Sequence, residues 1–325
     1  MRRLSLLPIL VLFLALTAGA QPASVAERVK ARGAVRCGSV ERPGLAQQDG
    51  NGRWRGLEVD VCRAVAAAVL GSPDKFTYRT YETPKEFDAV RELQDDVFFL
   101  SGLEIHEKKL AGILLPGPTV YIESHGVMVP ASSRVRHVAD LPGEGVCFVI
   151  ATSSERSLSA YLEKAPKPWL RRPFSEEGEM VDAYNARNCH AVAGEFTTLA
   201  SYRLNPGVNR LESRVLPEST TSFPLIAATG TNDGKWALVV AWTIGTLISG
   251  ERPETNWYAG GAGAMPIAAP EAGLDKQWQR RVLAAVGHYG DIFERNLGKG
   301  SAFQLERGLN ANQVDGGLIL SPFLD

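Results

Sequence analysis

The segment from Gly56 to Val69 is the part of this 325-residue chain that most constrains its fold. Its apolar residues recur at i, i+4, i+7, i+8 and i+11, which puts one apolar face on a helix. Glu58 and Asp60 add two carboxylates to the first turn, where the helix dipole favours negative charge. Asn51-Gly52, just upstream, is typical of a turn. The segment therefore predicts an amphipathic helix that follows a turn.

Strands and helices alternate along much of the remaining chain. Short apolar or β-branched runs predict strands at 34–39, 76–81, 126–130, 146–150, 190–193 and 223–228. Helical patterns lie at 83–93, 154–163, 180–187, 196–204 and 236–249. Thr83 as N-cap, Pro84 at the first helical position and Glu86 two residues later are typical start signals for one of them. Alternation at these lengths predicts an α/β sheet.

The N-terminus is typical of a secretory signal peptide. Arg2 and Arg3 precede the apolar run 4–16, and Ala18-Gly19-Ala20 supplies a small-residue cleavage site. A membrane anchor is the weaker alternative, because the run is shorter than the roughly 20 residues a spanning helix needs. We therefore expect residues 1–20 to be removed and the mature protein to be exported to the periplasm. Its 33 basic and 36 acidic side chains argue against a nucleic-acid partner.

Four cysteines in an exported chain predict disulfides, and four cysteines allow three pairings that sequence alone does not separate. A metal site is the alternative, but there is no Cys-x-x-Cys pair and the five histidines are scattered. Enzyme motifs are also missing: no Gly-x-Ser-x-Gly elbow is present, and His106-Glu107 lacks the second histidine of a zinc protease. We expect no metal, no cofactor and no catalysis.

Three segments carry a resemblance to a known family. The turn, Trp54 and the helix 56–69, together with 285–296 and 307–311 near the C-terminus, resemble the family 3 solute-binding proteins of ABC transporters. The general L-amino-acid-binding periplasmic proteins are the branch they resemble most. The resemblance covers nearly the whole mature chain. It implies a type II periplasmic binding protein fold, in which two α/β lobes are joined by two crossing segments. Residues 21–125 and 229–325 would form lobe 1, and residues 126–228 lobe 2.

This division into lobes favours one pairing of the cysteines. Cys37–Cys62 and Cys147–Cys189 would each stay inside one lobe, and the related proteins carry cysteines at these places in the pattern. We therefore expect these two bridges and no free thiol.

The resemblance also implies a ligand site. Relatives bind an amino acid through an arginine for its carboxylate, a nearby threonine, and an acid in lobe 2 for its ammonium. In this chain Lys108 occupies the arginine position, Gly102 the threonine position, and Glu195 the acidic position. Thr152 and Ser153 offer hydroxyls before a helix of lobe 2. The alternatives are structural: Lys108 as a solvated helix residue, Thr152 or Ser153 as an N-cap, and Glu195 as a first-turn acid.

These residues lead to one predicted function and one alternative. The prediction is a monomeric extracytoplasmic protein that binds a polar amino acid or related small amine and delivers it to an ABC permease. The alternative is a periplasmic accessory or sensor protein with the same fold but another ligand or a protein partner. Some proteins of this fold are dehydratases or lyases, and His106 with Glu107 keeps that possibility open.

Overall fold

Two long neighbouring strands run through the centre of the sheet and connect its two halves. The computed structural model describes residues 23–83, 85–141, 143–164, 168–205, 207–251 and 272–320. The predicted signal peptide lies outside these residues, as does most of the segment 251–273, which its Gly, Ala and Pro content predicts to be irregular. The strands are β1 Val35–Ser39, β2 Gln47–Gln48, β3 Trp54–Arg55, β4 Phe76–Thr80, β5 Val97–Ser101, β6 Leu114–Leu115, β7 Thr119–Pro130, β8 Gly145–Val149, β9 Leu170–Phe174, β10 Ala191–Glu195, β11 Ser213–Val215 and β12 Thr221–Gly230. The helices are α1 Val25–Arg32, α2 Leu57–Leu70, α3 Glu86–Arg91, α4 Gly102–Glu107, α5 Ser153–Leu162, α6 Glu177–Asn185, α7 Phe196–Leu204, α8 Gly234–Ser249, α9 Trp278–Val286 and α10 Tyr289–Asn296.

The main sheet has the strand order β4-β1-β5-β12-β7-β10-β8-β9. The outer strands on each side pair in parallel, as expected of βα units. The two central strands, β7 and β12, pair antiparallel with each other and with their other neighbours. We call β7 and β12 the crossing strands, the half with β4, β1 and β5 the first lobe, and the half with β10, β8 and β9 the second lobe.

Each lobe buries apolar side chains on both faces of its part of the sheet. In the first lobe, α2, α8, α9 and α10 cover one face and a smaller cluster around Tyr81 and Phe98 covers the other. In the second lobe, clusters around Phe148 and around Met180 lie on the two faces. The crossing strand β7 supplies Val120 to the core of the first lobe and later residues to those of the second.

The structure confirms the predicted α/β class and both predicted disulfides. Cys37 is bonded to Cys62, which ties β1 to α2, and Cys147 is bonded to Cys189 within the second lobe. The sequence located helix 83–93 less accurately. It is confined to Glu86–Arg91, and Lys85 rather than Thr83 is its N-cap. Among the residues that the structure describes, no helix is long and apolar enough to cross a membrane.

Candidate binding cleft

A cleft of about 670 Å³ lies where the two lobes face each other across the crossing strands. Both lobes and both crossing strands contribute to its walls. The residues lining it are Arg42, Ser101, Leu103 and Glu104 from the first lobe, His125 and Thr220–Phe223 from the crossing strands and the approach to β12, and Ser153, Arg156, Ser157, Ala160, Tyr161 and Glu195 from the second lobe. A volume in this range is typical of sites that bind small molecules.

Arg42 is the buried cation of the cleft and lies in a tight turn held by the start of α2. The backbone N–H groups of Leu57 and Glu58 donate to the carbonyls of Gly44 and Leu45 in that turn. These donors have no partners within the helix, because they belong to its first turn. The approach is so close that a Cβ on Gly56 would lie 2.0 Å from the carbonyl oxygen of Leu45. The helix that dominates the sequence pattern therefore also fixes the loop that carries Arg42.

One side of the Arg42 guanidinium is paired and the other is free. Nη2 donates to Glu104 Oε1 at 2.5 Å, whereas the buried Nη1 has no hydrogen-bond partner in the described part of the chain. Burial lowers the pKa of Arg42, but the carboxylates of Glu104, Glu58 and Glu195 outweigh it and raise this pKa above its usual value. Arg42 therefore stays charged with one donor unused, and an unused buried donor is costly.

Glu104 is held in place by the start of α4. Ser101 is the N-cap, and its side chain accepts from the Glu104 N–H while the Glu104 carboxylate accepts from the Ser101 N–H, in a capping box. Because Ser101 ends β5, the box fixes Glu104 at the carboxyl edge of the sheet. Ligands of α/β proteins bind at this edge.

Glu195, the acid that the second lobe contributes to the cleft, lies on a strand that pairs with the crossing strand β7. Glu195 ends β10 and lies opposite His125 of β7 in the strand register. His125 Nε2 lies 3.2 Å from Ser153 Oγ and 3.9 Å from Glu195 Oε1. Burial, together with the positive charge of Arg156, lowers the pKa of His125 to about 4, so the ring is neutral at pH 7. Burial raises the pKa of Glu195, although Arg42 acts in the opposite direction.

The charges around the cleft are nearly balanced. Arg42 and Glu104 pair with each other, whereas the one ion-pair contact of Glu195 within 4.0 Å among the described residues is with the neutral His125. Arg156 donates to the Ala151 carbonyl at 3.3 Å and has no carboxylate within 4.0 Å in the described ranges. Those ranges also contain no cluster of three or more His, Cys, Asp and Glu side chains that could hold a metal ion. The cleft therefore has available positive groups on Arg42 and Arg156 and an available carboxylate on Glu195. This combination suits a zwitterionic ligand, which carries both charges.

Comparison with known proteins identifies the family. The chain is 31% identical over 329 residues to the general L-amino acid-binding periplasmic protein AapJ of Rhizobium johnstonii, a match that covers 95% of each chain. The chain belongs to the amino-acid-binding periplasmic proteins of ABC transporters. It is also 30% identical to the glutamate/glutamine/aspartate/asparagine-binding protein BztA of Rhodobacter capsulatus, over 95% of each chain. No family model matches it.

Solved structures of this family share the fold. A periplasmic binding protein from Brucella ovis with glutathione bound superposes with a TM-score of 0.72 and 27% identity, over 91% of this chain and 98% of that one. An ancestral cationic amino acid solute-binding protein gives a TM-score of 0.55 at 18% identity. The predicted family, its two-lobed fold and its periplasmic location are therefore confirmed, as is the predicted role of serving an ABC permease. The relatives are named as binding proteins rather than as enzymes.

The predicted site residues are divided between the cleft and its surroundings. Ser153 and Glu195 line the cleft. Thr152 is the N-cap of α5 and lines a neighbouring cavity of about 190 Å³, which shares Ser153 and Glu195 with the cleft. Gly102 and Lys108 are not among the residues that line it. Lys108 follows the last residue of α4, and its Nζ lies 5.0 Å from the ring centroid of Phe87.

Sequence reasoning missed most polar residues of the cleft, including Arg42, His125 and Arg156. Arg42 directly precedes Pro43-Gly44, where the family resemblance indicates a pocket loop, so its position was a usable signal. His125 and Arg156 gave no such signal, because only the strand register and the packing of α5 bring them to the cleft. His106 and Glu107, the residues behind the enzyme alternative, do not line the cleft.

Proposed function

We propose that this periplasmic protein binds an α-amino acid, or a related small amine, in the cleft and delivers it to an ABC permease without catalysing a reaction. The observation that carries the proposal is the buried Nη1 of Arg42, which has no hydrogen-bond partner among the described residues, in a cleft that Glu195 lines from the other lobe. The names of the relatives support the same ligand class, since AapJ and BztA are named for binding amino acids.

The ligand would be bound by groups from both lobes. Its α-carboxylate accepts from Arg42 Nη1 and from the Ser153 hydroxyl, and its ammonium donates to Glu195. Arg42 takes the role that the family resemblance assigned to Lys108, because Arg42 lines the cleft and Lys108 does not. A guanidinium with a free nitrogen is also the better carboxylate partner, since its planar fork gives directed hydrogen bonds. Closure of the lobes around such a ligand would exclude water from these contacts.

Glu195→Gln and Arg42→Lys test these contacts directly. A charged hydrogen bond contributes about 1.5–3 kcal/mol, so each variant should bind at least about tenfold more weakly. Affinity is measured by isothermal titration calorimetry, after a thermal-shift screen of amino acids and amines has found a ligand. A ligand at 100 times its Kd should stabilise the protein by about 2.7 kcal/mol.

Glu179→Gln is the matched control, because Glu179 is an exposed acid of α6 in the same lobe and does not line the cleft. It should leave the affinity unchanged. Unchanged affinity in both Glu195→Gln and Arg42→Lys would contradict the proposed contacts. A screen without any amino acid or amine ligand would favour the accessory or sensor alternative.

A further inference from the structure

We infer that the ligand carries a second carboxylate and that Arg156, on the face of α5 that lines the cleft, binds it. This inference rests on the proposed function and narrows its ligand class to amino acids with an additional carboxylate. That group could belong to the side chain of a single amino acid or to the C-terminus of a short peptide.

The first step is that Arg156 has no carboxylate partner among the residues that the structure describes. The acid next to it, Glu155, is engaged elsewhere: its Oε1 accepts from Arg171 Nη2 at 2.5 Å and its Oε2 from the Ala151 N–H at 2.8 Å. Arg156 itself donates only to the Ala151 carbonyl among the described residues. Arg171, on strand β9, has both a carboxylate and a hydroxyl partner on α5. Of the two arginines, Arg156 is therefore the one whose guanidinium is available to a ligand.

The second step is that α5 presents one continuous face to the cleft. Residues 153, 156, 157, 160 and 161 line it, with the i, i+3, i+4, i+7, i+8 spacing of a single helix face. Ser153 and Ser157 flank Arg156 on this face and supply hydroxyl groups. The Ser157 hydroxyl lies 2.5 Å from the hydroxyl of Thr220, which directly precedes the crossing strand β12. The guanidinium therefore has polar neighbours that could share a carboxylate with it.

The third step concerns how the open groups would be used. An α-amino acid engages Arg42 Nη1 through its carboxylate and Glu195 through its ammonium, and this leaves Arg156 without an anion. His125, the titratable group nearest to Arg156 from β7, is neutral at pH 7 and supplies no counter-charge. Glu195 is the nearest carboxylate of β10, and the ligand ammonium would neutralise it. A second carboxylate on the ligand would fill the remaining position.

The fourth step is space. About 670 Å³ falls in the range of roughly 300–1,000 Å³ that is typical of sites for drug-sized ligands, so the cleft can hold a molecule longer than one amino acid. The Brucella ovis neighbour, whose structure contains glutathione, indicates that this fold can accommodate a tripeptide. Arg42 and Arg156 lie on opposite lobes, so a ligand that spans the cleft would contact both.

The experiment compares ligands that differ only in the second carboxylate. Calorimetric titrations use glutamate against glutamine, and glutathione against its glycine monoethyl ester. In the pair that binds, we expect the acid to bind about tenfold more tightly than its neutral counterpart, because the acid makes one additional charged hydrogen bond. In Arg156→Gln this preference should fall to less than about twofold, while the neutral ligand binds as before. The pair that binds identifies whether the second carboxylate belongs to a side chain or to a peptide terminus.

Arg134→Gln is the matched control, because it removes one exposed arginine of the second lobe that does not line the cleft. It changes the net charge equally and should retain the full preference for the acid. Equal affinity for acid and neutral ligand in the unmodified protein, or a preference that survives in Arg156→Gln, would overturn the inference while leaving the proposed function intact. If none of the four probes binds but other amino acids do, only the inference is overturned. If no amino acid binds, the proposed function is the part that fails.

Discussion

Asn310, close to the C-terminus, covers an open edge of the crossing strand β7. Its Oδ1 accepts from the Ile122 N–H at 2.7 Å, and its Nδ2 donates to the Ile122 carbonyl at 2.9 Å, both in the buried interior. On its other edge Ile122 lies opposite Pro224, which has no N–H to donate. The strand β10 covers β7 only from His125 onward. The Asn310 side chain therefore satisfies backbone groups that no strand reaches.

Replacing Asn310 with alanine should destabilise the protein strongly. The change leaves one buried N–H and one buried carbonyl without partners, and each such group costs about 1–3 kcal/mol. Together they predict a loss of about 2–6 kcal/mol, with partial hydration of the gap giving the lower end. The free energy of unfolding of a typical protein is only about 5–15 kcal/mol, so this loss should be clear in urea denaturation. Asn310→Asp should be at least as damaging at pH 7, because it keeps an acceptor but turns the second contact into an oxygen–oxygen repulsion.

Asn51→Ala serves as the control, since Asn51 is an exposed turn residue. It should change the free energy of unfolding by less than about 0.5 kcal/mol. A loss smaller than 0.5 kcal/mol in Asn310→Ala would refute the argument, because it would mean that water satisfies Ile122 as well as the asparagine does.

Three further predictions follow from the same structure. Cys147→Ala together with Cys189→Ala should lower the free energy of unfolding by about 3–4 kcal/mol in urea denaturation, since the bridge closes a chain segment of 42 residues; a loss below 1 kcal/mol would contradict this. Burial raises the pKa of Glu58 to about 7, so its contribution to stability is complete below its unfolded pKa of about 4.5 and is lost as the pH rises through 7. Between pH 5 and pH 8, the free energy of unfolding of Glu58→Gln should therefore fall by about 3 kcal/mol less than that of the unmodified protein, as measured by urea denaturation. An equal dependence of this free energy on pH in the two proteins would contradict the prediction. Lys108→Ala should keep the ligand affinity within twofold of that of the unmodified protein, because Lys108 does not line the cleft. A tenfold loss of affinity in calorimetry would show that Lys108 contacts the ligand.

The fold was predictable because its strongest sequence signals are local and also meet in space. The helix 56–69 and the segment 285–296 carry the family resemblance and lie more than 200 residues apart. In the structure, Asp60 of the first accepts from Arg295 Nε at 2.8 Å and from Asn296 Nδ2 at 2.7 Å in the second. Asp60 is almost fully buried, so the contact is a structural lock between α2 and α10. Helix periodicity indicated the first segment and the family resemblance the second, although neither indicated the contact between them.

The site was only partly predictable, because its residues meet through tertiary structure rather than through spacing. Ser153 follows β8 and Glu195 ends β10, and the ends of strands are where an α/β sheet is expected to bind ligands. The family resemblance puts Lys108 at the arginine position, but it does not reveal that α4 ends before Lys108 and that its Nζ lies 5.0 Å from the ring centroid of Phe87. Arg42 is brought to the cleft by hydrogen bonds from α2, which no local pattern encodes.

The crossing strand β7 connects the binding groups with the C-terminal segment. His125 on this strand pairs in register with Glu195, so the proposed ammonium acceptor is attached to β7 itself. Ile122 and Val120 precede His125 on this strand by three and five residues. The Asn310 side chain bonds to both backbone groups of Ile122, and the Tyr289 hydroxyl donates to the Val120 carbonyl at 2.9 Å. These contacts fix the end of β7 in the first lobe, while its other end pairs with β10 of the second lobe from His125 onward. Glu123 and Ser124 therefore connect the residues that the C-terminal segment holds to the residue that pairs with the proposed ammonium acceptor.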